Sequence, residues 1–179
     1  MRIGDLYAVI CIIFISNFKS VIDEKQLKKL GKKWIVINEN PQNKKGHEFW
    51  EKGLDEDYTL IKNDFSNLQN AFDISFFKLV SQTDITLFYE KCRYEKPFKE
   101  LSSTHSANMF AFLSAVLKQD KDQKTHDLLV LYLAKYFVPS FIALATYMIS
   151  NSKSNYFKAL GYFLDDFCFS LKEILKLKI

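Results

Sequence analysis

The sequence predicts an all-α protein, a single-domain bundle of about seven to nine helices. Glycine occurs 5 times and proline 3 times in 179 residues, whereas sandwiches and barrels need many turn residues. Apolar residues make up 48% of the chain, and 17 phenylalanines predict a core filled by large rings. Several segments repeat apolar residues with the period of a helix. The length suits one domain, and no linker divides residues 1–179.

The first helix is predicted from about Gly4 to Phe18. Its apolar run, Leu6–Phe18, is too short for a membrane span, which needs about 20 residues. Arg2 is soon followed by Asp5, and Ser16-Asn17-Phe18 is a poor cleavage site, so a signal peptide is not indicated. We therefore expect a core helix in a cytoplasmic protein, without stable membrane insertion.

A second, lysine-rich helix is predicted over about Asp23–Lys33, ending near Gly31. The following Ile37–Gly46, rich in Asn and Lys and containing Pro41, is typical of a loop. Trp34–Ile37 is β-prone but isolated, so no sheet is predicted from it. The net charge of +4 is mild, and the lysines fit either a solvated helix face or a surface for nucleic acid.

The segment Leu54–Phe72 has a clean helical stripe. Asp55-Glu56-Asp57 falls in its predicted first turn, where negative charge suits the helix dipole. One or two short helices are expected within Asp73–Lys96, and Pro97 ends them. The residues of the stripe are Leu54, Tyr58, Ile61, Phe65, Leu68 and Phe72.

Pro97–Leu117 combines a polar loop with an amphipathic helix. Ser102-Ser103-Thr104 leads into the helix, and His105 is expected in its first turn. A helix N-terminus disfavours the protonated imidazole, so His105 is predicted to be neutral. A histidine in this place fits a binding site or ordinary packing. The apolar stripe beneath it consists of Met109, Phe112, Leu113, Val116 and Leu117.

The C-terminal part begins with a charged connector, Gln119–Gln123. Helices are predicted over Thr125–Val138 and Pro139–Ile149, with a kink or break at the proline. Ser150–Ser154 is predicted to be a loop that contains N-cap candidates for the next helix. The last helix has one apolar face, formed by Tyr156, Leu160, Phe163, Leu164, Phe167, Leu171 and Ile174.

No catalytic or metal-binding pattern is recognised, so we expect no enzyme, no metal site and no cofactor. The cysteines, Cys11, Cys92 and Cys168, are odd in number and lack C-x-x-C spacing, which fits thiols in a reducing compartment. Asp165-Asp166 is expected to form a solvated edge. A nucleophilic pair of Cys92 with His105 is the less favoured alternative to a protein without an active site.

Three segments are similar, in order, to motifs of a known family. LDEDYTLIK (Leu54–Lys62) is similar to L-x-x-D-Y-x-x-L-F. STHSANMFAFL (Ser103–Leu113) is similar to P-x-D-H-x-x-x-E-L-x-F-L. Tyr136–Leu160, which contains YFVPS and NYFKAL, is similar to H-L-x-P-W followed by P-F-Y-x-A-L. By these motifs the chain resembles the TorD/DmsD/NarJ family of molybdoenzyme assembly chaperones.

Several positions depart from the family pattern. Thr104 and Met109 replace the Asp and Glu on either side of the family's histidine. Tyr136 and Ser140 replace its later His and Trp, and Lys62 replaces a Phe. The chain therefore resembles a divergent member, in which recognition of arginine would rely on other residues.

The resemblance implies a TorD-like, all-helical chaperone domain over residues 1–179, acting in the cytoplasm as a monomer or dimer. Its partners would be an apo-molybdoenzyme catalytic subunit and its N-terminal twin-arginine leader, bound until cofactor insertion and export. Nucleic acid is not expected as a partner. The alternative is a small helical nucleic-acid-binding regulator that uses Lys25–Lys33.

A leader would need an apolar groove and carboxylates or carbonyls for its arginines. The expected peptide-binding residues are Asp57, Tyr58, Ile61, Thr104, His105, Asn108 and Phe112. Further acidic candidates are Asp55, Asp165 and Asp166. Core packing is an equally good interpretation of Tyr58 and Phe112.

Overall fold

The computed structural model describes residues 3–119 and 122–174. Within these ranges helices dominate and no strand forms, so the predicted all-α class is confirmed and Trp34–Ile37 joins no sheet. An isolated antiparallel bridge joins Asp73 to His105. The TorD-like character of the fold stays a prediction.

The helices that the sequence predicts occur in the predicted order, and one further helix begins at Pro41. A 3-10 turn covers Ile74–Phe77, and a π-helical turn covers Leu133–Phe137. Residues 120 and 121 of the predicted connector Gln119–Gln123 lie outside the described residues. The helices are α1 (Ile3–Lys19), α2 (Glu24–Leu27), α3 (Pro41–Gly53), α4 (Tyr58–Leu68), α5 (Gln82–Lys91), α6 (Ser106–Gln119), α7 (Gln123–Tyr132), α8 (Val138–Asn151) and α9 (Asn155–Ile174).

The chain forms two compact units, each built from two separated stretches. The first unit contains the described residues of Met1–Lys19 and Ala71–Ser140. The second contains those of Ser20–Asn70 and Phe141–Lys178. The assignment of residues 1–179 to a single domain stays a prediction.

The core of the first unit is formed where α1 packs against α6. Phe14 and Phe18 of α1 stack on Phe110 and Phe72, with ring centroids 5.1 Å and 5.0 Å apart. Phe137 meets the Phe110 ring edge-on at 5.1 Å. All five rings are buried, as predicted for a core of large aromatic residues.

The core of the second unit is formed where α3 packs against α9. The Trp34 ring stacks on Phe163 of α9 at 4.4 Å, and Trp50 stacks on Tyr156 at 5.4 Å. A Cβ on Gly46 would lie 2.5 Å from the Phe163 ring. Glycine is therefore needed at this point of α3 for the close approach of the ring.

The loop predicted over Ile37–Gly46 is wrong from Pro41 onwards, because α3 begins there. The Asn40 side chain accepts a hydrogen bond from the Gln42 N–H at 3.0 Å and caps the helix. Proline at the first helical position loses no intrahelical bond and has a suitable φ. Asn-Pro here is a helix start rather than a turn.

Two other helices are shorter than predicted. The helix α4 begins at Tyr58 and ends at Leu68, and Asp57 caps it, accepting from the Thr59 N–H at 2.9 Å. Asp55-Glu56-Asp57 therefore precedes the helix instead of forming its first turn. The lysine-rich helix α2 is a single turn that ends at Leu27.

The proline in the C-terminal part does not separate two helices with a loop. The Val138 N–H donates to the Leu133 carbonyl, five residues back, which closes the π-helical turn directly before Pro139. Such a turn shifts the register of the ladder just where proline offers no N–H. Helical structure thus continues from Gln123 to Asn151.

The stretch Gln123–Asn151 is, within the described residues, long and apolar enough to cross a membrane. Its most apolar window has a mean hydropathy of 1.9, and 56% of that window is buried in the protein. A buried core helix of a soluble protein meets the same criteria, so this is weak support for a span. The cytoplasmic location stays a prediction.

Candidate functional site

His105 lies directly before α6, as its capping residue, and not in the first turn. Its Nδ1 accepts a hydrogen bond from the Ala107 N–H at 3.2 Å, which leaves Nε2 as the protonated nitrogen of a neutral ring. Burial lowers the pKa of His105, and the carboxylates of Asp73 and Glu100 offset part of this shift. Both observations favour the neutral imidazole that the sequence predicts.

Asp73 places a carboxylate on the loop that leads to His105. The Ile74 N–H donates to the Thr104 carbonyl at 3.0 Å, and the Ser106 N–H donates to the Phe72 carbonyl at 2.7 Å. These two bonds hold the Asp73 segment against the loop. Asp73 is not among the predicted site residues, because its neighbours in space lie about thirty positions away.

Four hydrogen bonds converge on the Asp73 carboxylate. Oδ1 accepts from Thr104 Oγ1 at 2.7 Å and from the Ser75 hydroxyl and N–H at 2.7 and 3.1 Å. Oδ2 accepts from Ser102 Oγ at 2.5 Å. Burial raises the pKa of Asp73, but these hydrogen bonds outweigh burial and the net pKa is lowered. The Asp73 carboxylate is therefore an anion at neutral pH.

Asn108 and Thr104 are fully buried and stabilise the loop that precedes α6. Asn108 Nδ2 donates to the carbonyls of Phe98 and Ser102 at 3.0 and 2.9 Å, and its Oδ1 accepts from the Phe98 N–H at 3.2 Å. The side chain thus satisfies backbone groups that the turn leaves unpaired. Both residues fix the loop on which His105 sits.

Phe112 lies inside an aromatic cluster of the first unit. Its ring contacts Tyr132, Tyr94 and Tyr89 at centroid distances of 4.7, 4.9 and 5.1 Å. Burial raises the pKa of Tyr94 to about 12, which is typical of a phenol in apolar surroundings. Core packing therefore describes Phe112 in this structure.

Exposed apolar side chains follow Asp73 closely in the first unit. Phe76 is 47% exposed and Leu79 is 54% exposed. Lys78 between them has a φ of 57°, a left-handed backbone that ends the 3-10 turn. A negative charge, an imidazole and an apolar surface therefore lie on neighbouring segments of the first unit. Asp73 supplies the charge, the partly exposed His105 the imidazole, and these two side chains the apolar surface.

In the second unit, the LDEDYTLIK segment meets the start of α9. Glu56 Oε2 accepts from the Asn155 N–H at 2.8 Å, and Oε1 accepts from the Tyr156 N–H at 2.9 Å. Burial raises the pKa of Glu56, although these bonds lower it in part. Asp64 completes the contact, its Oδ2 accepting from the N–H groups of Lys153 and Ser154 at 2.8 and 2.6 Å.

The three predicted residues of this segment have different roles. Asp57 is exposed and caps α4. Tyr58 is half-buried, and its hydroxyl donates to the Ile22 carbonyl at 2.7 Å. Ile61 is fully buried in the core.

Asp166 is not part of a solvated edge, and this expectation was wrong for it. Its side chain is only 3% exposed. Asn38 Nδ2 lies 3.1 Å from both carboxylate oxygens, and Asn43 Nδ2 donates at 2.8 Å. Burial raises the pKa of Asp166, and the asparagine bonds lower it in part. Asp165 accepts from Gln42 Nε2 at 2.6 Å, so both carboxylates anchor the start of α3 to α9.

The thiols show no sign of activation. Cys11 and Cys168 are buried and Cys92 is half-buried, and none forms a disulfide. Burial raises the pKa of Cys92, which disfavours the nucleophilic thiolate. Within the described residues no group of three or more His, Cys, Asp or Glu side chains could hold a metal ion.

The predicted peptide-binding residues divide between the two units. Thr104, His105, Asn108 and Phe112 belong to the first unit, and Asp57, Tyr58 and Ile61 belong to the second. Asp57, Tyr58 and His105 keep exposed surface, whereas the other four are buried. The fold and these surfaces define a helical protein with candidate binding surfaces. Comparison of the chain with protein-family models, curated proteins and solved structures finds no match.

Proposed function

We propose that the protein is a cytoplasmic redox-enzyme maturation chaperone. It binds an apo-molybdoenzyme, its twin-arginine leader, or both, until the cofactor is inserted and the enzyme is exported. The proposal starts from the resemblance of three ordered segments to the TorD/DmsD/NarJ motifs. It involves binding and release only.

The observation that carries the proposal is the pairing of the motif-like segments. In the second unit, Glu56 of LDEDYTLIK accepts hydrogen bonds from Asn155 and Tyr156 of NYFKAL. In the first unit, Phe110 of STHSANMFAFL packs against Phe137 of YFVPS. Segments distant in sequence thus meet as partners, which supports reading them as parts of a shared structural pattern.

The first unit offers the chemistry that a leader would require. Asp73 Oδ2 accepts a single hydrogen bond, so it retains capacity for a guanidinium. The exposed Phe76 and Leu79 offer apolar surface for the hydrophobic segment of the leader. A carboxylate contributed by Asp73 compensates for the Asp that Thr104 replaces.

Titration calorimetry with synthetic twin-arginine leaders, together with co-purification of apo-molybdoenzymes, tests the proposal. We expect binding that weakens about tenfold or more in Leu79→Ser, because an apolar contact is lost. Leu131→Ser is the matched control, since Leu131 is 50% exposed on α7 of the same unit. Absence of binding to every leader and every apo-enzyme would refute the proposal.

The nucleic-acid alternative has one favourable observation. Lys25, Lys28, Lys29, Lys32 and Lys33 are all exposed. Only Lys28 among them forms a side-chain ion pair in the described structure, with Glu24 at 2.7 Å. Binding to DNA or RNA that falls steeply with salt would favour this alternative, and salt-insensitive or absent binding would remove it.

A further inference from the structure

A polar pocket opens on the second unit beside α4. Its volume is about 280 Å³. That size lies just below the usual range for ligand sites and suits a small metabolite rather than a cofactor. The lining consists of Leu60, Asn63, Asp64, Ser66, Asn67 and Lys153.

The polar groups of this pocket have unused binding capacity. Asp64 is 1% exposed, and only its Oδ2 forms hydrogen bonds in the described structure. Asn63 and Asn67 are exposed, lie one turn apart on α4, and use their side-chain amides for no hydrogen bond there. The ammonium of Lys153 has no ion-pair partner among the described residues. The pocket therefore has a carboxylate and an ammonium group among its lining residues that form no ion pair with each other.

We propose that this pocket binds a free α-amino acid. A simple cation would pair with Asp64 but be repelled by the ammonium of Lys153. A simple anion would pair with Lys153 but be repelled by Asp64. A zwitterion satisfies both charges at once, with its ammonium toward Asp64 and its carboxylate toward Lys153. The amides of Asn63 and Asn67 offer both donors and acceptors to either end.

The rest of the lining indicates the kind of side chain. Leu60 is the apolar member of the wall, and no further charged residue lines the pocket. A ligand with a neutral side chain is therefore favoured, because a charged side chain would lose its hydration without gaining a partner of opposite charge. This inference does not depend on the chaperone function.

The test is a thermal-shift panel of the free proteinogenic amino acids on the full-length protein, followed by calorimetry. The best amino acid is compared with its decarboxylated amine and its deaminated acid, which each lack one charge. We expect binding by a neutral amino acid, and at least about tenfold weaker binding by each analogue, since each loses a charge-assisted hydrogen bond.

Variants locate the binding in this pocket. Lys153→Met and Asn67→Ala should each weaken amino-acid binding about tenfold with little change in melting temperature. Lys62→Met is the control, because Lys62 is exposed on α4 and does not line the pocket. Asp64 is left intact because it also binds the backbone before α9. The inference is overturned if no amino acid binds, if a single-charge analogue binds equally well, or if Lys153→Met binds like the native protein.

Discussion

At the scale of single residues, polar side chains that suit a ligand are used here to satisfy the backbone. His105 caps α6, Asp57 caps α4, and Asn108 bonds the loop above it. A sequence pattern does not separate these uses, because capping and ligand binding need the same short polar groups. Asp166 is the opposite case, because it was expected to be solvated but is buried. The asparagines that bury it lie more than a hundred positions away in the sequence. The burial of Asp166 therefore depends on tertiary packing, which the local sequence pattern does not indicate.

The imidazole of His105 should make stability depend on pH. Protonation would end the acceptor role of Nδ1 and place a positive charge at a helix N-terminus. Since burial lowers the folded-state pKa, the unfolded chain binds the proton first as pH falls below about 6.5. The free energy of unfolding should therefore fall as pH drops through about 6.5 toward the lowered folded-state pKa of His105.

The informative variant for this prediction is His105→Asn. Asparagine is a good capping residue and does not titrate, so the variant should keep its stability at pH about 8 and lose less of it on acidification. His105→Ala should instead cost about 1 kcal/mol at pH about 8, because the cap is removed, and less at acidic pH, where the protonated imidazole of the native protein no longer accepts the capping bond. Urea denaturation at each pH measures both. Equal pH slopes for the native protein and His105→Asn would contradict the assignment.

At the scale of elements, the sequence predicts best where an apolar stripe is long. The helices α1, α6 and α9 appear where the sequence predicts them, because each has a long apolar run or stripe within its 14 to 20 residues. The helix α3 was missed because its few apolar residues leave capping as its main signal. Asn40-Pro41 is compatible with a turn or a helix start, and the packing of Trp50 and Gly46 on α9 decides for the helix.

The start of α9 depends on carboxylates from another segment. Asp64 is buried and accepts the N–H groups of both Lys153 and Ser154. Asp64→Ala would leave these donors without their charged acceptor, so we expect a loss of about 2–3 kcal/mol in the free energy of unfolding. Chemical denaturation followed by far-UV circular dichroism measures the change.

Asp55→Ala is the matched control for Asp64→Ala. Asp55 has the same side chain and is exposed before α4. Its removal should change stability by less than about 0.5 kcal/mol. Similar effects of both substitutions would show that net charge, and not the bonds to the start of α9, accounts for the loss.

At the scale of the whole molecule, the chain passes between its two units three times, at residues 19–20, 70–71 and 140–141. The sequence predicts one helical domain because no linker marks these passages. The last of them lies within α8, whose first residues belong to one unit and the remainder to the other. The units were not foreseeable from periodicity, since an amphipathic stripe does not indicate which helix will cover it.

This chain path should make the two units unfold together. If the second unit unfolds alone, the first must hold residues 20–70 as an open loop, whose closure costs about 3 kcal/mol in entropy. The fraying of α8 adds to this cost, because helix formation is cooperative. Both tryptophans, Trp34 and Trp50, lie in the second unit, so their fluorescence reports on that unit alone.

Phe110→Ala tests this coupling from the first unit. Phe110 is fully buried, and its loss should cost about 3–5 kcal/mol. We expect the urea midpoint of tryptophan fluorescence to fall together with that of far-UV circular dichroism, although no tryptophan lies in the altered unit. Phe76→Ala, at a phenylalanine 47% exposed in the same unit, should leave both midpoints nearly unchanged. A fluorescence midpoint unaffected by Phe110→Ala would show that the units unfold independently.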